Sequence, residues 1–317
     1  MRKITTALLF AAASTSALAQ SMEANFTGPL VTPNAAALPP GVVVIEPYLI
    51  YNESHASYDT HGSRHSEHPG AHQWLQVVPI TIGVAPRFNV ELVAGAAHNV
   101  SGKSHSDGVQ PGDTSVLLQY MLLAPRTDGT GPAISATYSH IFPTGKYQRL
   151  GDNPLNATGS GASTDRLALL GQQLFWLPNG HPLRLRGQLA WGPTLSRVNL
   201  HDVSSYGTPG GFRGWAKPGM SWGSSVSAEY GLDSHWVLAM DITWDHQRGT
   251  TLRGSPCRPD ELSTDQRTPS HWVYSAAPAI EYNFNDSVGL IVGTQVSFAG
   301  HRSSAFWAPQ AALNVAF

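Results

Sequence analysis

Between Trp307 and Phe317 the chain alternates with period two. Trp307, Pro309, Ala311, Leu313, Val315 and Phe317 hold the odd positions, and Gln310 and Asn314 stand among small alanines at the even ones. Successive side chains of a strand point to opposite faces, so such a segment offers one face to lipid and the other to a polar interior. The pattern recurs along the chain. Trp236, Leu238, Met240, Ile242 and Trp244 alternate with Val237, Ala239, Asp241, Thr243 and Asp245. Leu183, Leu185, Leu189 and Trp191 alternate with Arg184, Arg186, Gln188 and Ala190, and Phe88, Val90 and Leu92 alternate with Asn89 and Glu91. Trp272, Tyr274, Ile280, Tyr282 and Phe284 have the parity opposite to Ser275, Glu281 and Asn283. The segment from Arg166 to Trp176 alternates poorly, which leaves its faces unassigned.

Composition turns this pattern into a constraint. Charged residues are 13% of the chain, about half the usual share for a soluble globular protein. Beyond the N-terminus no stretch approaches the roughly eighteen apolar residues that a transmembrane helix needs. A weakly charged chain that carries its hydrophobicity in alternation, with every backbone group needing a partner in lipid, is left with a closed barrel.

The N-terminus agrees. Arg2 and Lys3 precede an apolar run from Ala7 to Ala13, and Ala17-Leu18-Ala19 resembles a cleavage site. Residues 1–19 are therefore expected to be a signal peptide, too short in its apolar run to span a bilayer. Residues 20–41, rich in Pro and Ala, lack a strand pattern and form an extension that hangs in the periplasm or tucks into the lumen; residues 42–317 form the barrel. Phe317, an aromatic end to an alternating strand, resembles the signal by which the barrel assembly machinery recognises its clients.

Twelve strands are expected, at about 42–52, 72–83, 87–97, 113–124, 132–142, 164–176, 182–195, 219–231, 234–247, 270–284, 287–299 and 304–317. Short turns fall at 84–86, 126–131, 178–180, 232–233 and 285–286, where Asn179-Gly180 is a tight-hairpin signal. Longer polar loops fall at about 53–71, 98–112, 143–163, 196–218 and 248–269. An all-β, antiparallel, up-and-down transmembrane barrel with short periplasmic turns and long outer loops fits this sorting, which a soluble sandwich has no reason to show.

Cys257 is the only cysteine, so no intrachain disulfide is available. The formal charge is -2, and without Arg2 and Lys3 it would be about -4, with no basic run to suggest nucleic acid as a partner.

Several short motifs carry a resemblance. Phe26-Thr27-Gly28-Pro29-Leu30, Thr32-Pro33-Asn34 and Leu38-Pro39-Pro40-Gly41 lead into Ile45-Glu46-Pro47-Tyr48. Gly112-Asp113-Thr114-Ser115 and Phe142-Pro143-Thr144-Gly145-Lys146-Tyr147 follow. Together they resemble the outer-membrane family named for the meta-cleavage pathway of phenol degradation, whose members are described as transporters. The resemblance implies a barrel that admits small hydrophobic or aromatic compounds, and it supplies no site residues.

By parity the lumen is expected to receive Glu46, Glu91, Asp113, Glu229, Asp241, Asp245 and Glu281, with Arg184 and Arg186 from one strand. Such charges either form a constriction that selects solutes or fill a narrow interior as ion pairs. Asp245 and His246 are adjacent and so point to opposite faces, which denies them a shared catalytic site without a bulge. His61, His65, His68 and His72 crowd the first loop with His55, Asp59 and Glu67, offering imidazoles to a metal at an entropic cost in a flexible loop. No cofactor is expected. Three functions follow: passive entry of small solutes, a closed barrel that binds ions or partners through its loops, or an enzyme at the outer rim. The partners expected are outer-membrane lipid, small hydrophobic or aromatic solutes and the assembly machinery.

Overall fold

The computed structural model describes residues 25–193, 196–255 and 264–317. The expected signal peptide and Cys257 lie outside the described residues. Twelve strands build the wall: β1 (Tyr48–Tyr58), β2 (Arg64–Ala85), β3 (Phe88–Ser101), β4 (Thr114–Leu123), β5 (Gly131–Phe142) and β6 (Thr164–Trp176). They continue as β7 (Pro182–Gly192), β8 (Ser221–Gly231), β9 (Trp236–Gln247), β10 (His271–Asn285), β11 (Val288–His301) and β12 (Ser303–Ala316). Each pairs antiparallel with its neighbours in sequence, and β12 returns to β1, with Gln310 opposite Ile50, so that no edge remains. A short strand, Val43–Ile45, extends β1 downward, pairing with both β12 and β2. All twelve expected strands are present, and the barrel is closed.

Lipid-facing positions are those the alternation nominates. Leu189 is 66% and Val226 58% exposed, whereas Val237, Asp241, Glu229 and Glu281 on the opposite parity have no exposure at all. Aromatics gather near the strand ends: Trp236 and Tyr282 lie 4.6 Å apart at the short-turn end, and Trp191 and Trp222 5.9 Å apart at the other. These are the two interfacial girdles of a membrane barrel. The Asn179-Gly180 signal forms its tight hairpin, with Gly180 at φ +82° and its N–H donated to Leu177 at 2.9 Å.

Three loop expectations are corrected. Residues 53–71 are not an irregular loop: β1 and β2 run on past the membrane as a ribbon, and only residues 59–63 form the turn. Polar side chains mislead here because a ribbon in water needs no apolar face, and its backbone pairing holds regardless of side chain. Residues 196–218 and 248–269 are likewise not free loops. They contribute Val198–His201, Arg213–Lys217, Thr251–Ser255 and Thr264–Arg267 to a separate four-stranded sheet. Its inner face packs Val198, Leu200, Phe212 and Ala216 against Ala162 of the 143–163 loop.

The poor alternation of β6 has a structural cause. Leu167 and Leu169 face lipid, but Leu170 points inward and is buried against Ala35 and Ala133. An apolar lumen position makes sense only if the lumen is filled there.

Candidate functional site

The filling is the N-terminal extension itself. Residues 25–41 lie inside the barrel as an extended strap near the short-turn end. An extended, proline-rich segment carries N–H and C=O groups that cannot be left bare when buried, so the wall must supply partners. It does so strand by strand. Glu281 on β10 accepts the N–H groups of Thr27 at 2.8 Å and Gly28 at 3.1 Å, and Asn283 accepts the Thr27 hydroxyl at 2.8 Å. Asp241 on β9 accepts the N–H groups of Val31 at 3.3 Å and Thr32 at 3.0 Å, and the Thr32 hydroxyl at 2.7 Å. Arg186 on β7 donates to the Thr32 carbonyl at 3.2 Å. Gln172 on β6 accepts from Ala35 N–H at 3.0 Å, and Ser135 on β5 donates to the Ala35 carbonyl. Gln119 on β4 donates to the Asn34 carbonyl, and Asn89 on β3 accepts from Leu38 N–H, each at 3.0 Å. On β2, Gly83 leaves room for the backbone of Leu38 and Pro39, where a Cβ would collide with both carbonyl oxygens. The strap thus follows the inner wall from β10 round to β2.

Apolar contacts supplement this polar register. Leu30 packs with Ala277, Ile291 and Ala312, and the ring of Phe26 lies 4.3 Å beneath the Arg184 guanidinium. Arg184 donates through Nε to Glu229 at 2.7 Å, and Arg186 approaches the same carboxylate to 2.9 Å. Two guanidinium groups share one buried carboxylate, while Asp241 and Glu281 are engaged by backbone donors of the strap.

Of the nine expected lumen charges, Arg184, Arg186, Glu229, Asp241 and Glu281 therefore meet in one network around the strap. Glu46 and Glu91 sit apart from it, Glu46 accepting from Tyr48 at 3.1 Å and Glu91 from Thr81 at 2.9 Å. Both line a cavity of about 370 Å³ between strap and wall, together with Arg186, Gln188 and Asn314. Asp245 lies on the lumen side across Gly223 from Arg166, while His246 stacks on Trp244. Asp113 serves the outer end: it accepts the N–H groups of Gly145 and Ser160, each at 2.9 Å, and ties the 143–163 loop down.

That loop roofs the barrel. Asn99 on β3 donates to the carbonyls of Leu155 at 2.8 Å and Ala157 at 3.0 Å, fixing the loop across the mouth. Beneath it lies an outer vestibule of about 600 Å³, whose lining includes Ser160, Thr164, Ser196, Tyr206, Gln247 and Thr250, with no charged side chain among the described residues. Burial pushes the Tyr206 phenol up to about 12, so it stays a neutral donor, to the Ser160 carbonyl at 2.6 Å.

The histidines are spread along the outer ribbon. His65 contacts Asp59 at 2.9 Å, His61 contacts Thr60, and the His72 ring lies tilted beside Tyr51 at 5.4 Å. His68 is exposed, and no group of three or more His, Cys, Asp or Glu side chains with metal-holding geometry exists among the described residues. Beyond Asn89 and Asn283, whose polar parity the alternation shows, the lumen residues that sequence reasoning missed are the neutral Gln119, Ser135 and Gln172. Their inward parity was readable on most strands; the need for them was not, because the strap's position was open.

A closed twelve-strand wall with an apolar outer belt and a polar, strapped interior defines an outer-membrane-type β-barrel. Among solved structures, the COG4313 outer membrane channel from Pseudomonas putida F1 is similar to this chain at 15% identity, TM-score 0.63, covering 90% of this chain and 100% of that one. The transport unit of the autotransporter AIDA-I from Escherichia coli gives TM-score 0.49 at 10% identity, covering 87% of this chain and 90% of that one. The TodX deltaS2S3 mutant monoaromatic hydrocarbon channel gives 0.40 at 9%, covering 88% and 90%. Only the first is similar enough to bear on the fold. No family model matches the chain, and no curated protein matches its sequence.

Proposed function

We propose that this barrel is an outer-membrane channel for passive entry of small hydrophobic or aromatic compounds, and that its place is in the family of the meta-cleavage pathway of phenol degradation. The observation that carries the channel reading is the uncharged vestibule set above a strapped lumen inside a closed barrel. A neutral solute entering there meets hydroxyl, amide and glycine surface before any fixed charge. The vestibule and the strap-side cavity each fall within the roughly 300–1,000 Å³ typical of small-molecule sites. The substrate class rests on the family resemblance together with that neutrality. In this reading a passing solute meets the charges that line the strap-side cavity, Glu46, Glu91 and Arg186 among them. Residues 1–19 are the export signal, and the assembly machinery inserts the barrel.

The strap supports one alternative, a barrel that binds without conducting. Flux into liposomes containing the refolded full chain separates the two. Phenols and aromatic acids are compared with sugars of similar size, and heat-denatured protein serves as control. Selective entry of the aromatics supports the channel; no entry of any solute through folded protein refutes it and leaves the binding barrel.

A further inference from the structure

On the lipid-facing side of the β5–β6 pair, His140 stands directly opposite Asp165. Ser163 lies just beyond the last paired residues, Ile141 and Thr164, diagonal to His140 and at the edge of the vestibule lining. Register alone thus brings a hydroxyl, an imidazole and a carboxylate together. The contacts are made: Ser163 Oγ lies 2.9 Å from His140 Nε2, and His140 Nδ1 lies 2.7 Å from Asp165 Oδ1. Tyr138, the diagonal neighbour on the other side, donates its hydroxyl to the same Asp165 oxygen at 2.6 Å. Ser196 Oγ bonds the Ser163 carbonyl at 3.1 Å and fixes its backbone.

We infer that Ser163, His140 and Asp165 form a nucleophilic triad that cleaves carboxylic esters whose acyl chain lies on the lipid face of the barrel. The roles follow from which nitrogen meets which oxygen. Asp165 accepts the Nδ1 proton and so presents Nε2 as a base toward the serine, the arrangement that activates a serine hydroxyl. The surroundings name the substrate class. Phe142 contacts the His140 ring at 4.6 Å and is exposed, as are Tyr138 and Leu167 on the same face. The triad sits at the outer girdle, since Leu167, two residues below Asp165, pairs with Trp191. An ester there has its carbonyl at the headgroup level and its chain along the apolar wall.

The reaction balances with water as co-reactant. Ser163 Oγ bonds to the ester carbonyl carbon while its proton passes to His140 Nε2. The tetrahedral intermediate expels the alcohol oxygen, which takes that proton. Water then adds to the acyl-serine, giving a proton to Nε2, and the carboxylic acid leaves as Ser163 regains it. The centre supplies nucleophile, base and orienting carboxylate, while oxyanion donors add roughly 10²–10³ in rate where present. Strongly activated reagents are therefore the appropriate probes.

The full chain is refolded in detergent micelles, its folded state read from the heat-dependent shift in gel mobility, and treated with a fluorescent long-chain alkyl fluorophosphonate. One label per chain is expected, on the peptide that contains Ser163, and none on S163A. H140Q and D165N should slow labelling by at least about a hundredfold. A p-nitrophenyl ester of a sixteen-carbon acid should be cleaved in preference to the butyrate, and the reverse preference would overturn the lipid-face seat. Folded protein that takes no label, or label that persists in S163A, overturns the triad. Should S163A not fold, S163C in a C257S background serves instead: its thiol must alkylate faster with His140 present than in H140Q. Solute flux through H140Q, whose changed residue lies outside the vestibule lining, reads the channel independently, so either reading can fail alone.

Discussion

Asp241 anchors the strap at its midpoint, and Asp241→Ala is expected to loosen it measurably. The carboxylate is fully buried and accepts three hydrogen bonds, from Val31 N–H, Thr32 N–H and the Thr32 hydroxyl. Hydrogen bonds to a charged acceptor contribute about 1.5–3 kcal/mol each, and neutral ones about 1. Taking only about 1 kcal/mol per bond, because the released donors regain water on undocking, the docked state loses about 3 kcal/mol. At tenfold per roughly 1.4 kcal/mol, the undocked population rises about a hundredfold. Hydrogen exchange of the peptide spanning residues 27–34, followed by mass spectrometry in micelles, reads this directly. Its protection should fall about a hundredfold while the wall strands stay protected. Exchange within about threefold of wild type in a folded barrel would refute the reasoning, because the three bonds would then contribute nothing to docking.

Two further outcomes follow from the same geometry. Glu229→Ala leaves Arg184 and Arg186 buried without their shared carboxylate; removing one partner of a buried ion pair costs about 3–5 kcal/mol, so the denaturant midpoint in micelles should fall markedly, and an unchanged midpoint would show that the pair is not buried in solution. At the ribbon tip, the Asp59 carboxyl is lowered to about 2 by the hydrogen bond from His65 and by the N–H groups of His61 and Ser63. A depressed value means that the carboxylate's contribution to the turn is complete above the ordinary range near 3.8 and is lost as pH falls through about 2. Carboxyl NMR should place the midpoint near the lower value, and a midpoint near 3.8 would show that the tip contacts do not persist.

The barrel was legible in the sequence because period-two alternation is a local property. Each wall strand must show an apolar residue to lipid at every second position, whatever its partner, so strand number, short-turn positions and the inward parity of Glu281 or Asp241 follow without knowing any contact. The outer ribbon and the four-stranded sheet were not legible, since strands in water pair through backbone and need no alternation. His140 and Asp165 show the same limit: they lie 25 residues apart and meet only through the β5–β6 register. The strap is the clearest case. Nothing in residues 20–41 decides between periplasm and lumen, because the deciding partners, Glu281, Asp241, Gln172 and Asn89, are up to about 250 residues away. The sequence by itself determined which face of each strand meets lipid, through the free energy of transferring single side chains. Only the tertiary structure decided what the inward face is for, since a buried polar group takes its meaning from the donor or acceptor that closure of the barrel brings to it.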